Sequence, residues 1–181
     1  MIVKNFKDVV WKDQDQKRAG IVLYITSVYK NRKEVHFCLG YDKKYSEICD
    51  FGGRKNMKET IINCALREFS EETHRVFNIK KIYRKLENSI CVFDNDMIIF
   101  FVNVLLNVGY GEKMFNSRIT KNSEMLKLYW LNKKNLFRYK IYDKTLNFIG
   151  EFCKFKQNWN WKKYIYNIYY KLWITSKKNR K

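Results

Sequence analysis

The 181-residue sequence has no proline, only seven glycines and no long apolar run. It also lacks low-complexity tracts and internal repeats, so nothing marks a linker, and one globular domain spanning 1–181 is expected. A helical membrane span needs roughly 18 to 20 mostly apolar residues. None is present, and the first fifteen residues are too polar for the core of a signal peptide. The five cysteines, Cys38, Cys49, Cys64, Cys91 and Cys153, are scattered, odd in number and without a CxxC pair. That pattern indicates neither a disulfide framework nor a structural zinc site. A cytoplasmic, reducing location without a membrane span is the expectation. The missing proline, set beside abundant Lys, Asn, Ile, Tyr and Phe, points to AT-rich coding, a mark of the source genome and not of function.

Acidic residues are scarce in one region. The chain carries a formal net charge of +19, of which residues 1–112 supply +4 and residues 113–181 supply +15. Beyond Glu151 there is no acid, while nine Lys and Arg alternate with aromatics. Such a field attracts polyanions, RNA foremost, although a solvated basic helix has the same composition.

Hydrophobic patterning places the elements. Ala19 to Val28 and Glu34 to Gly40 are β-branched and aromatic runs around a polar turn, which predicts a strand pair. A polar stretch containing Gly52 and Gly53 leads into a helical pattern from Glu59 to Thr73. Strands are expected at Lys80 to Phe93, Met97 to Leu106 and Met125 to Leu131, with a turn at Asp94 to Asp96. From about Tyr142 the spacing of Phe155, Trp159, Tyr166, Tyr170 and Trp173 is helical, with a break expected at Gly150. Strands between helical segments imply an α/β layered domain ending in a basic, aromatic helical segment over about 142–181.

On the helix, Glu68, Glu71 and Glu72 fall within roughly a third of the circumference, beside an apolar stripe of Ile62, Leu66 and Phe69. Like charges at these spacings cost a few tenths of a kcal/mol each, unless a cation sits among them. Oxygen-only ligands suit Mg²⁺ or Mn²⁺. An acidic triplet alone is usually a solvated face, so its surroundings decide its meaning.

Those surroundings are Gly53, five residues, Glu59, seven residues, then Arg67-Glu68-Phe69-Ser70-Glu71-Glu72, preceded by Phe51-Gly52. This frame resembles the Nudix box, and the order of strands around it is similar to the Nudix α/β/α sandwich with a mixed sheet over most of the chain. The resemblance implies a metal held by the carbonyl of Gly52 and the carboxylates of Glu68 and Glu72, with Glu71 nearby or on a second ion. It also implies that Arg67 orients Glu71, and that Glu59 organises the loop without being a direct ligand. An acid before a strand carrying Trp often acts on the attacking water or ligates metal in this family, and Glu124, six residues before Trp130, stands in that place. A plain loop glutamate paired with Lys121 or Lys127 is the other reading of Glu124. The frame departs from the family where a closing glycine is expected: His74 and Arg75 follow Thr73. His74 reads as a left-handed helix cap and not as a base. His36, on a strand, reads as packing or surface.

The activity implied is metal-dependent hydrolysis of a diphosphate linkage in a nucleoside diphosphate derivative, with Arg67, Glu71, Glu72 and Glu124 as the catalytic set. The group attached to the diphosphate is not encoded in the box. Phe37, Tyr41, Tyr45, Tyr110 or a C-terminal Trp could stack on a base. REFSEET and the basic C-terminal third also resemble viral and cellular mRNA-decapping members, which makes capped RNA one expected substrate. Small nucleotides, dinucleoside polyphosphates and diphosphoinositol polyphosphates are the alternatives. A catalytically weak Nudix-like RNA-binding module is a further one.

Overall fold

A twelve-residue run rich in Val, Ile and Tyr organises the fold, because it can bury both of its faces. The computed structural model describes residues 1–29, 32–105 and 108–156, with the side chains of 13, 28–29, 32–33 and 108–110 left aside. The strands are β1 (Ile2–Asn5), β2 (Arg18–Tyr29), β3 (Arg32–Asp42), β4 (Glu47–Cys49), β5 (Phe51–Arg54), β6 (Ile90–Phe93), β7 (Met97–Asn103) and β8 (Met125–Asn132). The helices are α1 (Ile61–Glu72), α2 (Ile79–Leu86), α3 (Val108–Asn116), α4 (Lys133–Leu136) and α5 (Asp143–Phe155).

All eight strands join one mixed sheet in the order β1-β6-β7-β2-β3-β4, with β5 also on β2 and β8 also on β3. The β2–β7 pair is parallel and the other strand pairs are antiparallel. One edge of β2 carries β7. Its other edge is shared, with β5 against Arg18–Ile21 and β3 against the residues from Leu23 onward. The sheet therefore splays between β3 and β5 beside α1.

Side-chain alternation splits the interior into two layers. Ile21 and Leu23 face a cluster with Cys64, Phe69, Ile82 and Phe115, whereas Val22 and Tyr24 face one with Leu136, Phe148 and Phe152. Helices α1, α2 and α3 thus cover one face and α4 and α5 the other, giving the expected α/β/α sandwich. Phe69, fully buried, meets Phe51 edge-on at 5.6 Å and Phe77 at 5.4 Å. It holds α1 on the sheet, so truncation to alanine should cost about 3 to 5 kcal/mol.

Two expectations fail. The segment expected as one strand over Lys80 to Phe93 is α2 followed by the short β6. Asn78 caps α2 by accepting the Lys81 amide at 3.1 Å, and Ile82 and Leu86 bury one helical face. Ile79, Ile82 and Leu86 carry a period near 3.6, which the β-branched run at Ile90–Phe93 hides when the two are read together. No break occurs at Gly150: α5 runs through it. Trp159, Tyr166, Tyr170, Trp173 and most of the basic segment lie outside the described residues, as does the side chain of Tyr110.

Candidate active site

Helix α1 starts where Thr60 accepts the Asn63 amide at 3.1 Å. Its apolar residues Ile61, Cys64, Ala65, Leu66 and Phe69 are buried, which turns Glu68 and Glu72 toward a cleft of about 1120 Å³. The cleft is lined by Gly52 and Gly53 from β5, by Arg18 and by the turn Asp42 to Tyr45. Lys121 to Glu124 and Tyr142 line it as well. Glu124, directly before β8, thus shares the cavity of Glu68 and Glu72.

The glycine pair acts through space and not through turning. No described glycine has a positive φ, and both Gly52 and Gly53 are in strand β5. A Cβ on Gly53 would lie 2.2 Å from Cδ of Glu68, so the missing side chain is the room that carboxylate occupies. Gly52 stands opposite Gly20 in the β2–β5 register, and a Cβ on it would meet the Gly20 Cα at 2.4 Å. The same gap receives Asp50, whose Oδ2 would lie 2.2 Å from a Cβ on Gly20.

Arg67 is the hub of the solvent-facing half. Its Nε and Nη2 donate to the two oxygens of Glu59 at 3.0 and 3.1 Å. Nη1 donates to Glu68 at 2.7 Å and to Glu71 at 3.3 Å, and Nη2 also reaches the Arg54 carbonyl at 3.1 Å. The hydrogen bonds from Arg67 hold the Glu59 carboxyl below the usual carboxylate range, and those bonds in turn raise Arg67. Glu59 also accepts the Asn56 amide at 3.0 Å and so orders the loop before α1. Glu71 is largely exposed, with a side-chain accessibility of 56%, and does not line the cleft.

The inner half is poorer in partners. Burial pushes the Glu72 carboxyl well above its ordinary value, and Asp50 and Glu68 add to the rise while Arg18 opposes it. Glu72 Oε2 is sealed from solvent without a hydrogen-bond partner, as is Asp50 Oδ2. Asp50 is fully buried; its Oδ1 accepts the Thr145 hydroxyl at 2.6 Å, and Arg18 Nη2 stands 3.7 Å from its Oδ2. Sequence reading missed Asp50, Arg18 and Thr145. Only the position of Asp50 directly before Phe51-Gly52-Gly53 hinted at it.

Among the described residues no three His, Cys, Asp or Glu side chains already stand together as a ligand group. The donors nevertheless fit a hard cation, because an oxygen sealed from solvent and lacking a proton donor on Glu72 is what such an ion completes. Glu124 is exposed and forms no ion pair with Lys121 or Lys127.

His74 caps α1. Its φ is 52° and that of Arg75 is 57°; the amide of His74 donates to the Glu71 carbonyl at 3.0 Å and that of Arg75 to the Ser70 carbonyl at 2.8 Å. This is a Schellman ending built without glycine. His36 lies away from the cleft with Nε2 4.0 Å from Glu34. Of the aromatics, Phe37 on β3 is fully buried with Phe152 edge-on against it, whereas Tyr45 is exposed on the cleft rim.

No protein-family model and no curated protein matches this sequence. Solved structures do. An Ap4A hydrolase from C. elegans in a binary complex superposes with a TM-score of 0.52 at 15% identity, over 79% of this chain and 100% of that one. A mutT/nudix family protein from Listeria innocua matches at 12% identity and a TM-score of 0.49, over 79% and 95% of the two chains. The Nudix domain of Shewanella oneidensis NrtR, complexed with ADP ribose, matches at 10% identity and 0.45, over 79% and 90%. With the sandwich, the splayed sheet and the helix-borne glutamates in place, the chain has the Nudix fold.

Proposed function

We propose that this protein is a Nudix pyrophosphohydrolase that uses a divalent cation, Mg²⁺ or Mn²⁺, to cleave a diphosphate linkage in a nucleoside diphosphate derivative. The observation that carries the reading is the partner-poor carboxylate of Glu72 beside Glu68 on the wall of a cleft that also holds Arg18, Lys43, Lys44, Arg54 and Lys121. Acids along one wall suit a cation, and the basic groups suit the phosphates that it accompanies.

In this reading Glu68, Glu72 and the Gly52 carbonyl hold the cation, and Glu71 joins only if a second ion binds. When bound, the cation neutralises phosphate charge and makes phosphorus more electrophilic. Arg67 keeps Glu68 in one rotamer and offsets the repulsion between the glutamates. Glu124 faces the same cavity and accepts the proton of the attacking water. Arg18 and the rim lysines steady the phosphates, and Tyr45 offers an exposed ring for a base. The C. elegans neighbour is an Ap4A hydrolase, which supports including a dinucleoside polyphosphate among the substrates tried. The basic composition beyond Glu151 supports including capped RNA.

The test is product release from ADP-ribose, Ap4A, diphosphoinositol polyphosphate and capped RNA, with and without Mg²⁺ or Mn²⁺, against Glu72→Gln. Turnover that needs the cation and is lost in the variant is expected. Absence of turnover on all four, with salt-sensitive RNA binding retained, would replace the enzyme by an RNA-binding module.

A further inference from the structure

Glu124 lies on an exposed loop whose own composition does not determine where its carboxylate points. The determinants lie at the C-terminal end of α1. His74 Nε2 is 2.9 Å from the Met125 carbonyl, and its ring packs 4.7 Å from that of the fully buried Phe115. Arg118 returns from the other side and donates to the carbonyls of His74 and Arg75 at 3.0 and 2.6 Å. The segment from 118 to 125 is therefore tied at both ends to one helix terminus. A third tie holds the backbone of Glu124, since the Lys43 amide donates to the Glu124 main-chain carbonyl at 2.9 Å. Between the ties, Thr120 and Ser123 close a local turn, with the Thr120 amide on Ser123 Oγ at 2.8 Å.

We propose that His74 and Arg118 form a clamp that positions Glu124 relative to Glu68 and Glu72. The proposal rests on the hydrolase reading above. A glycine would take the left-handed backbone at position 74 with less strain and would leave the cap intact. What glycine cannot do is reach Met125, so the histidine exchanges backbone ease for a tether between α1 and the loop. At the opposite end a single Arg118 nitrogen, Nη1, donates to both carbonyls just past the end of α1, so one charged side chain spans the two left-handed residues. His74 and Arg118 are positioning residues: neither lines the cleft.

The test compares wild type with His74→Gly, Arg118→Ala, Glu124→Gln and the His74→Gly/Glu124→Gln double variant, using the best substrate of the panel above. Each clamp variant should lower kcat about 10- to 100-fold, the usual effect of removing a supporting group, with KM nearly unchanged. In the Glu124→Gln background, His74→Gly should change kcat by less than about twofold, because the carboxylate it positions is already gone. Amide exchange gives a reading independent of turnover. The Lys43 amide should exchange about tenfold faster in both clamp variants, while Ile21 and Leu23 in the core are unchanged. Full kcat in both clamp variants, or an equal loss on the Glu124→Gln background, would overturn the proposal. If the wild type turns over no substrate, the hydrolase reading fails, and unchanged Lys43 exchange then defeats the clamp separately.

Discussion

The two halves of α1's charged surface are built on opposite terms. Around Arg67, each guanidinium nitrogen has an oxygen, and Glu59 has a donor for each of its oxygens. Five residues on, Glu72 keeps a buried oxygen with no hydrogen-bond partner, and so does Asp50 just before β5. A charge network that is complete within the chain rigidifies it, and one left incomplete is available to a ligand. In the proposed reading the difference separates residues that shape the site, Glu59 and Arg67, from residues left for a substrate or cation, Glu72 and Asp50.

The sharpest way to break that contrast is Glu72→Gln, which preserves shape and removes the charge. Turnover should fall roughly 10²- to 10³-fold, as when a group aimed at developing charge is removed. The melting temperature of the cation-free variant should stay level or rise, since a buried, partner-poor carboxylate destabilises the fold that holds it. Paired loss of activity and of stability would instead make Glu72 a structural residue like Glu59.

Arg67→Lys probes the complete half. One ammonium cannot span Glu59, Glu68, Glu71 and the Arg54 carbonyl, so about 1 to 3 kcal/mol of stability should be lost, reduced toward the lower figure by solvent at this part-exposed site. Chemical denaturation measures it. A smaller effect is expected from Thr145→Val, which leaves Asp50 Oδ1 without its hydroxyl donor. The cost should be about 1 to 2 kcal/mol, with a change in turnover, because Asp50 sits against the glycine floor of the cleft.

This contrast was only half legible in the sequence. Glu59, Arg67, Glu68 and Glu72 lie within fourteen residues, and their helical spacing announces them. Asp50, Arg18 and Thr145 carry no such spacing; they meet because Gly20 and Gly52, far apart in the chain, pair across β2 and β5 and leave room for one carboxylate. The role of the glycines was likewise hidden, since a sequence shows that a side chain is missing but not what fills the gap. Helix α2 was missed for a local reason, its period being masked by the strand that follows. Glu124 was legible only by resemblance, and its placement depends on a clamp made by His74, the residue that departs from that resemblance.

The halves should also titrate in opposite senses. The Glu59 carboxyl is lowered from the ordinary value of 4.5 by its bonds to Arg67, so its contribution to stability is present above that value and is lost as pH falls through the depressed one. Glu72 is raised from 4.5 by burial. The unfolded chain releases that proton first, so stability is greatest below 4.5 and declines as pH rises toward the raised value. Melting temperatures of the cation-free protein, taken across pH, should thus show an acid-side loss that Glu59→Gln diminishes and a separate decline above 4.5 that Glu72→Gln removes. Added Mg²⁺ or Mn²⁺ should flatten the second slope and leave the first, because a cation stabilises the ionised form of Glu72 whereas Glu59 already has its counter-charge in Arg67. A cation that altered both slopes equally would show that the two halves form one binding unit.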